Sequence, residues 1–145
     1  DATAESVVQL LQGAGARVAV LAGTHMTSRE IEDFQLHLEL AYGMTCGGTP
    51  ATQGSGGVLI VWDPQEVQVT DWSPGTKVGT LYEGRVVAAR LCFLRGGEFT
   101  LVGAYMPIRA STVPVLEPVW ETIAQVVADE GNVCVGGDDA RGMWR

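Results

Sequence analysis

Short runs of apolar, mostly β-branched residues, each ending in a small polar cluster, constrain this chain more than anything else in it. Residues 18–25 read Val-Ala-Val-Leu-Ala-Gly-Thr-His, and residues 132–140 read Asn-Val-Cys-Val-Gly-Gly-Asp-Asp-Ala. A run with no polar alternation reads as a strand buried on both faces, which delivers its last side chains to a site at its end. Between these two lie Gly56-Gly57-Val58-Leu59-Ile60-Val61, Gly84-Arg85-Val86-Val87 and Val102-Gly103-Ala104-Tyr105-Met106-Pro107.

The remaining segments set the order of elements. Ala4, Val7, Val8, Leu10 and Leu11 share a helical face over residues 4–12, and Gly13 and Gly15 stop that helix. Thr27 followed by Glu30 is a capping box, and the helix it opens carries Ile31, Phe34, Leu38 and Ala41 on one stripe. A short strand is expected over 42–46, then a loop over 47–57 rich in Gly, Thr, Ser and Pro. Strands are expected at 57–62, 66–71, 85–94 and 99–106, with Gly96-Gly97 turning the last two into a hairpin. Pro114 and Pro118 flank the start of a second amphipathic helix, with Val119, Ile123, Val126 and Val127, running to about Asp129. Gly131-Asn132 ends it, before a last buried strand at 133–135. Helices and strands interleaved in this order predict an α/β sandwich, as one domain over residues 1–145 without repeats.

Composition removes several classes. Hydrophobic residues are 46% of the chain and charged residues 18%, so a core can be buried and the chain is not disordered. The formal net charge is -8. Nucleic-acid binding rests on basic groups neutralising phosphates, so this balance weighs against nucleic acid as a partner, although a divalent metal can bridge carboxylates to a phosphate locally. The three cysteines, Cys46, Cys92 and Cys134, fit neither a disulfide framework nor a zinc site and read as buried free thiols. No stretch reaches the roughly 18 apolar residues of a transmembrane span. The opening Asp1-Ala2-Thr3-Ala4-Glu5 has neither the basic region of a signal peptide nor an initiator Met, as expected of a chain that begins inside a longer precursor.

In this order and at these spacings the runs resemble the endonuclease/exonuclease/phosphatase superfamily, the DNase I-like phosphodiesterases. The family's first motif reads Leu-Gln-Glu-Thr and its second Gly-Asp-Phe-Asn. The resemblance implies half of a DNase I-like α/β sandwich, a mixed β-sheet with helices on one side. It also implies that a first strand ending in a catalytic Asn would precede Asp1, and that a C-terminal half carrying Ser-Asp-His would follow Arg145. Thr24-His25-Met26-Thr27, Gly136-Gly137-Asp138 and Trp144 resemble, within the family, endonuclease domains of non-LTR retrotransposons.

The family's chemistry is attack of water on a phosphodiester assisted by Mg²⁺, which a carboxylate holds and which neutralises charge on the phosphoryl oxygens. Gly23 occupies the position of the metal-binding Glu and has no side chain; Thr24 is a weak ligand, and strand alternation turns His25 to the other face. A His directly after the Thr is common in retroelement members and is not their catalytic His. His37 falls on the solvent side of a helix. Asp138 matches the Asp of Gly-Asp-Phe-Asn and is the one metal-site carboxylate the match retains; its other reading is a strand-end Asp capping a turn. Asp139 either takes the Phe position, leaving Ala140 at the Asn, or replaces the Asn itself after a one-residue deletion. Tyr105 matches the Tyr-x-Pro whose hydroxyl contacts phosphate, against the alternative of a core tyrosine. Arg85 either binds a phosphate or pairs with a carboxylate. The resemblance implies that Asp138, Tyr105 and Asp139 are vestigial catalytic residues. The expected function is a degenerate, non-catalytic DNase I-like module for structure or protein interaction in a larger assembly. The alternative is a Mg²⁺-dependent endonuclease fragment of a retroelement-type protein. Other protein subunits or a second copy are expected to cover an open sheet face, and strand addition is expected at a bare edge beside Val18–Ala22. No cofactor is expected in the chain as it stands, Mg²⁺ if the family activity is retained. Gly23→Glu is expected to raise metal affinity.

Overall fold

The computed structural model describes residues 2–52, 55–70, 79–82, 84–105, 133–137 and 142–144. The expected helix at 118–129 and the candidate residues Asp138 and Asp139 lie outside them.

The first helix, α1, spans Ala2–Ala14, and the strand Val18–Ala22 (β1) follows. The second helix, α2, spans Ser28–Tyr42. Its start is fixed as the sequence predicts: the Glu30 amide donates to Thr27 Oγ1 at 3.2 Å, and the Thr27 amide to Glu30 Oε1 at 3.0 Å. Ile31, Phe34 and Leu38 are buried, whereas Ala41 on the same stripe is exposed, because the last turn leaves the sheet before the chain swings into the next strand. Seven more strands follow: Thr45–Thr49 (β2), Val58–Trp62 (β3), Val67–Thr70 (β4), Gly79–Tyr82 (β5), Val86–Phe93 (β6), Glu98–Ala104 (β7) and Val133–Gly137 (β8). Gly142–Trp144 is the last, β9.

These strands form two sheets, not one. The first has the order β2-β3-β1-β9, every described pair antiparallel. The second has the order β4-β6-β7-β8, with β5 also on β6. In it β8 runs parallel to β7, with Ala104 opposite Gly137. Alternation along β1 explains its unbroken apolar sequence. Ala19 and Leu21 face α1 and α2, packing with Val7, Val8, Leu11, Phe34 and Leu38. Val18 and Val20 face the second sheet, in a core with Val58, Ile60, Val87, Leu91 and Leu101. The layers are therefore helices, first sheet, second sheet, and both described helices lie on one side, as expected for the α/β half-sandwich. Gly103 marks how closely the sheets approach: a Cβ there would sit 3.0 Å from Val20 and Val58 methyl carbons.

The described strands leave no row of exposed apolar residues on the second sheet's outer face. Val86, Ala88 and Val102, which alternate with the residues of the inter-sheet core, are all 0% exposed. Residues apolar at every position need cover on both faces, and the facing sheets supply it for the inner one. Nor is the edge beside β1 bare, since β9 pairs with it from Val18↔Trp144 to Val20↔Gly142. Two further departures concern cysteines and β2. Cys46 is buried, but Cys92 is only half-buried. The strand expected at 42–46 begins later, and its Gly47 and Gly48 pair with Ile60 and Leu59.

Candidate functional site

One end of the two-sheet stack gathers the strand ends that the motifs mark. β1 stops at Ala22, opposite Val58. The chain then turns sharply: Gly23 has φ +70° and His25 φ +58°. Strand alternation therefore ends at Ala22 and does not orient His25, which is exposed. The turn is held by backbone bonds to the start of β3. The Gly23 and Thr24 amides donate to the Gly57 carbonyl at 2.8 and 3.2 Å, and the His25 amide to Gly56 at 3.0 Å. The Gly57 amide donates in turn to the Gly84 carbonyl at 2.9 Å, tying the first sheet to the entry of β6 in the second. The Tyr105 amide donates to the Arg85 carbonyl at 2.7 Å, extending the β6–β7 ladder by one pair beyond Val86↔Ala104. Gly84, Arg85 and Tyr105 thus stand beside Gly23, Ser55, Gly56 and Gly57.

Within this cluster the Tyr105 ring packs against Gly23. A Cβ on Gly23 would lie 3.1 Å from Tyr105 Cε1 and 3.4 Å from Cδ1. The Arg85 guanidinium lies over the same ring, its Cζ 5.0 Å from the centroid, a cation–π contact. Arg85 is only 8% exposed. Its Nη2 donates to Ser55 Oγ at 3.4 Å, a long bond. Its Nη1 is a buried side-chain nitrogen with no hydrogen-bond partner. The carboxylate partner weighed for Arg85 in the sequence is absent from its described ion pairs and hydrogen bonds; an aromatic face and a hydroxyl take that place.

Mg²⁺ does not fit the described part of this cluster. It wants several hard oxygen ligands in near-octahedral geometry. The first strand end offers a glycine in a left-handed conformation with an aromatic ring against it. Among the described residues no group of three His, Cys, Asp or Glu side chains is gathered. The expectation that Gly23→Glu raises metal affinity meets the same two obstacles, backbone and ring. β7 and β8 end side by side, with Ala104 opposite Gly137.

Other candidates lie elsewhere. His37 is half-buried, its ring 5.9 Å from that of Tyr42 in an edge-on contact. An open groove of about 650 Å³ lies at the other end of the first sheet, lined by residues including Gln35, Glu39, Met44, Cys46 and Trp62. Its thiol is inert: burial, with a lesser push from Glu39, raises Cys46 to about 12.

At the sequence level no family model matches the chain, and the search of curated proteins gives no match. Solved structures do match. D. rerio TDP2, humanized by 14 mutations, superposes with a TM-score of 0.63 at 14% identity, covering 94% of this chain and 54% of the other. D. rerio TDP2 with a single-strand DNA product gives 0.62 at 14% identity, over 96% and 54%. The human Nocturnin catalytic domain with a bound sulfate anion gives 0.59 at 12% identity, over 92% and 55%. The chain has a DNase I-like fold. It spans about half the length of these DNase I-like structures. Sequence reasoning found Gly23, Tyr105 and Arg85 singly from the fold's motifs, and took Ser55 for part of a structural turn, but did not bring the four together.

Proposed function

We propose that this chain is a non-catalytic DNase I-like module that serves a larger assembly by structure and interaction. The observation that carries the reading is the closure of the metal position: Gly23 has φ +70°, with the Tyr105 ring 3.1 Å from where its Cβ would stand. A side chain at such a position bears backbone strain before it can reach a metal. Other subunits or a second copy are the proposed partners. Leu36 and Leu40, one helical turn apart on α2 and 55% and 80% exposed, are the described surface that supports this.

A second reading keeps the activity and makes the chain a Mg²⁺-dependent endonuclease fragment, with its remaining site residues in a further C-terminal segment. Asp138 and Asp139 would be its carboxylates, and the buried cation beside Tyr105 favours it. One of the similar structures is complexed with single-strand DNA product and another with a sulfate anion. The net charge of -8 and the glycine at the metal position weigh against it.

Plasmid nicking by the purified chain with Mg²⁺ or Mn²⁺ separates the two. No metal-dependent nicking is expected, since losing one electrostatic stabiliser costs about 10²–10³ in rate and several groups acting as a unit leave little. Metal-dependent nicking that disappears in Asp138→Ala would establish the endonuclease.

A further inference from the structure

We propose that the outer edge of β2 docks an extended, basic peptide segment of a partner protein, which joins the first sheet as a further strand. The proposal deepens the interaction reading and rests on it, naming the surface and the chemistry of what that surface takes.

The edge itself is the first observation. β2 closes the order of the first sheet on its side, paired with β3 and with no other described strand. An antiparallel ladder uses the backbone groups of alternate residues, so the remaining amides and carbonyls of β2 point away from β3. Proteins blunt such edges with lysine, proline or a bulge. β2 reads Thr45-Cys46-Gly47-Gly48-Thr49, without charge or proline, and its register to β3 is unbroken. β9 takes up the margin beside β1 where the sequence led us to expect strand addition; β2 forms the opposite margin.

The shape of the groove is the second. Its lining includes every residue from Gly43 to Gly48 in succession. Side chains alternate between the faces of a strand, so a cavity over one face meets every second residue. A wall of consecutive residues instead belongs to a slot along the backbone edge, where a paired strand lies about 4.8 Å away. Gly47 and Gly48 bring no side chain into that slot. Met44, Trp62 and Pro64 give it apolar walls for alternate side chains of the incoming segment.

Charge names the occupant. Glu39 is the single charged side chain on the described wall of the groove. It is exposed yet held in place: Thr45 Oγ1 donates to its Oε2 at 2.9 Å, and Gln35 Nε2 donates to the same oxygen at 3.4 Å. Gln35 Nε2 also donates to Thr45 Oγ1 at 3.3 Å. No described ion pair includes Glu39. A positioned carboxylate at the start of β2 favours a Lys or Arg near one end of the docked segment. A second copy would bring a net charge of -8 to the groove and, from its own β2, no cation.

The test is hydrogen exchange of the wild-type chain, read at single amides by NMR, with and without the peptide acetyl-Thr-Val-Lys-Val-Lys-Val-Thr-amide. Alternate amides among Thr45–Thr49 are expected to exchange fast in the chain alone and to slow by about tenfold or more with saturating peptide. Backbone N-methylation of the peptide at one alternating set of residues is expected to abolish binding, and at the complementary set to leave it. Glu39→Gln, on the exposed side of α2, weakens binding by roughly fivefold at low salt and less at high salt. No slowing at β2, or slowing only elsewhere, overturns the proposal, as does equal loss of binding with both methylation sets. Equal binding of the peptide with Glu in place of both Lys overturns the assignment to a basic segment. Slowing of the β2 amides on raising the protein concentration alone makes a second copy the occupant and overturns it too. DNA nicking in Mg²⁺ would sink the non-catalytic reading and leave the exchange result to be judged by itself.

Discussion

Gly23 sets two separate obstacles to a carboxylate. Its φ of +70° belongs to the left-handed region, which costs an L-residue about 1–2 kcal/mol. The ring of Tyr105 then stands 3.1 Å from the new Cβ, and the Arg85 guanidinium lies over that same ring. Gly23→Ala is therefore expected to destabilise the chain by about 1–3 kcal/mol, measured by denaturant unfolding. A neutral or stabilising Gly23→Ala would mean that the turn is not left-handed or that Tyr105 lies elsewhere. The identity of Gly23 was legible in the sequence, because a glycine stood where the motif has Glu. Its conformation was not, since a strand pattern predicts alternation to its end and says nothing of the turn beyond. Arg85 was half legible. Once Gly96-Gly97 fixes the hairpin register, Arg85 falls opposite Tyr105, but burial without a carboxylate partner depends on how the two sheets meet.

At the scale of elements, the sequence was most informative where a local rule had a local cause. The α2 start is such a case, its two reciprocal bonds being made within four residues of chain. Thr27→Ala removes the bond to the Glu30 amide and is expected to cost about 1 kcal/mol in unfolding free energy with an unchanged fold. A cost near zero would show that the end of α2 is held by packing of Ile31 and Phe34 alone. β2 was the reverse case. Gly47-Gly48-Thr49 reads as loop by composition, yet it continues the strand because β3 offers it a paired edge from Ile60 to Val58. β5 and β9 escaped for a related reason. They are four and three residues long, too short for periodicity to register, and are assigned by the strands they join.

For the whole molecule, the α/β class and the order of most described elements were readable, while the division into two sheets was not. Apolar runs buried on both faces are equally consistent with one sheet awaiting a partner and with two sheets closing on each other. The structure takes the second course, with Val18, Val20 and Val58 on one side of the inter-sheet core and Val87, Leu91 and Leu101 on the other. That closure brings Gly23, Arg85 and Tyr105 to one end, and the proposed function implies a separation there of the DNase I-like fold from metal-dependent chemistry. Paramagnetic Mn²⁺, added in substoichiometric steps while amide NMR signals are followed, puts that separation to the proof. No selective broadening of Gly23, Thr24 and Tyr105 is expected. Selective loss of those signals, reversed by excess Mg²⁺, would contradict it and place a working metal site at the strand ends.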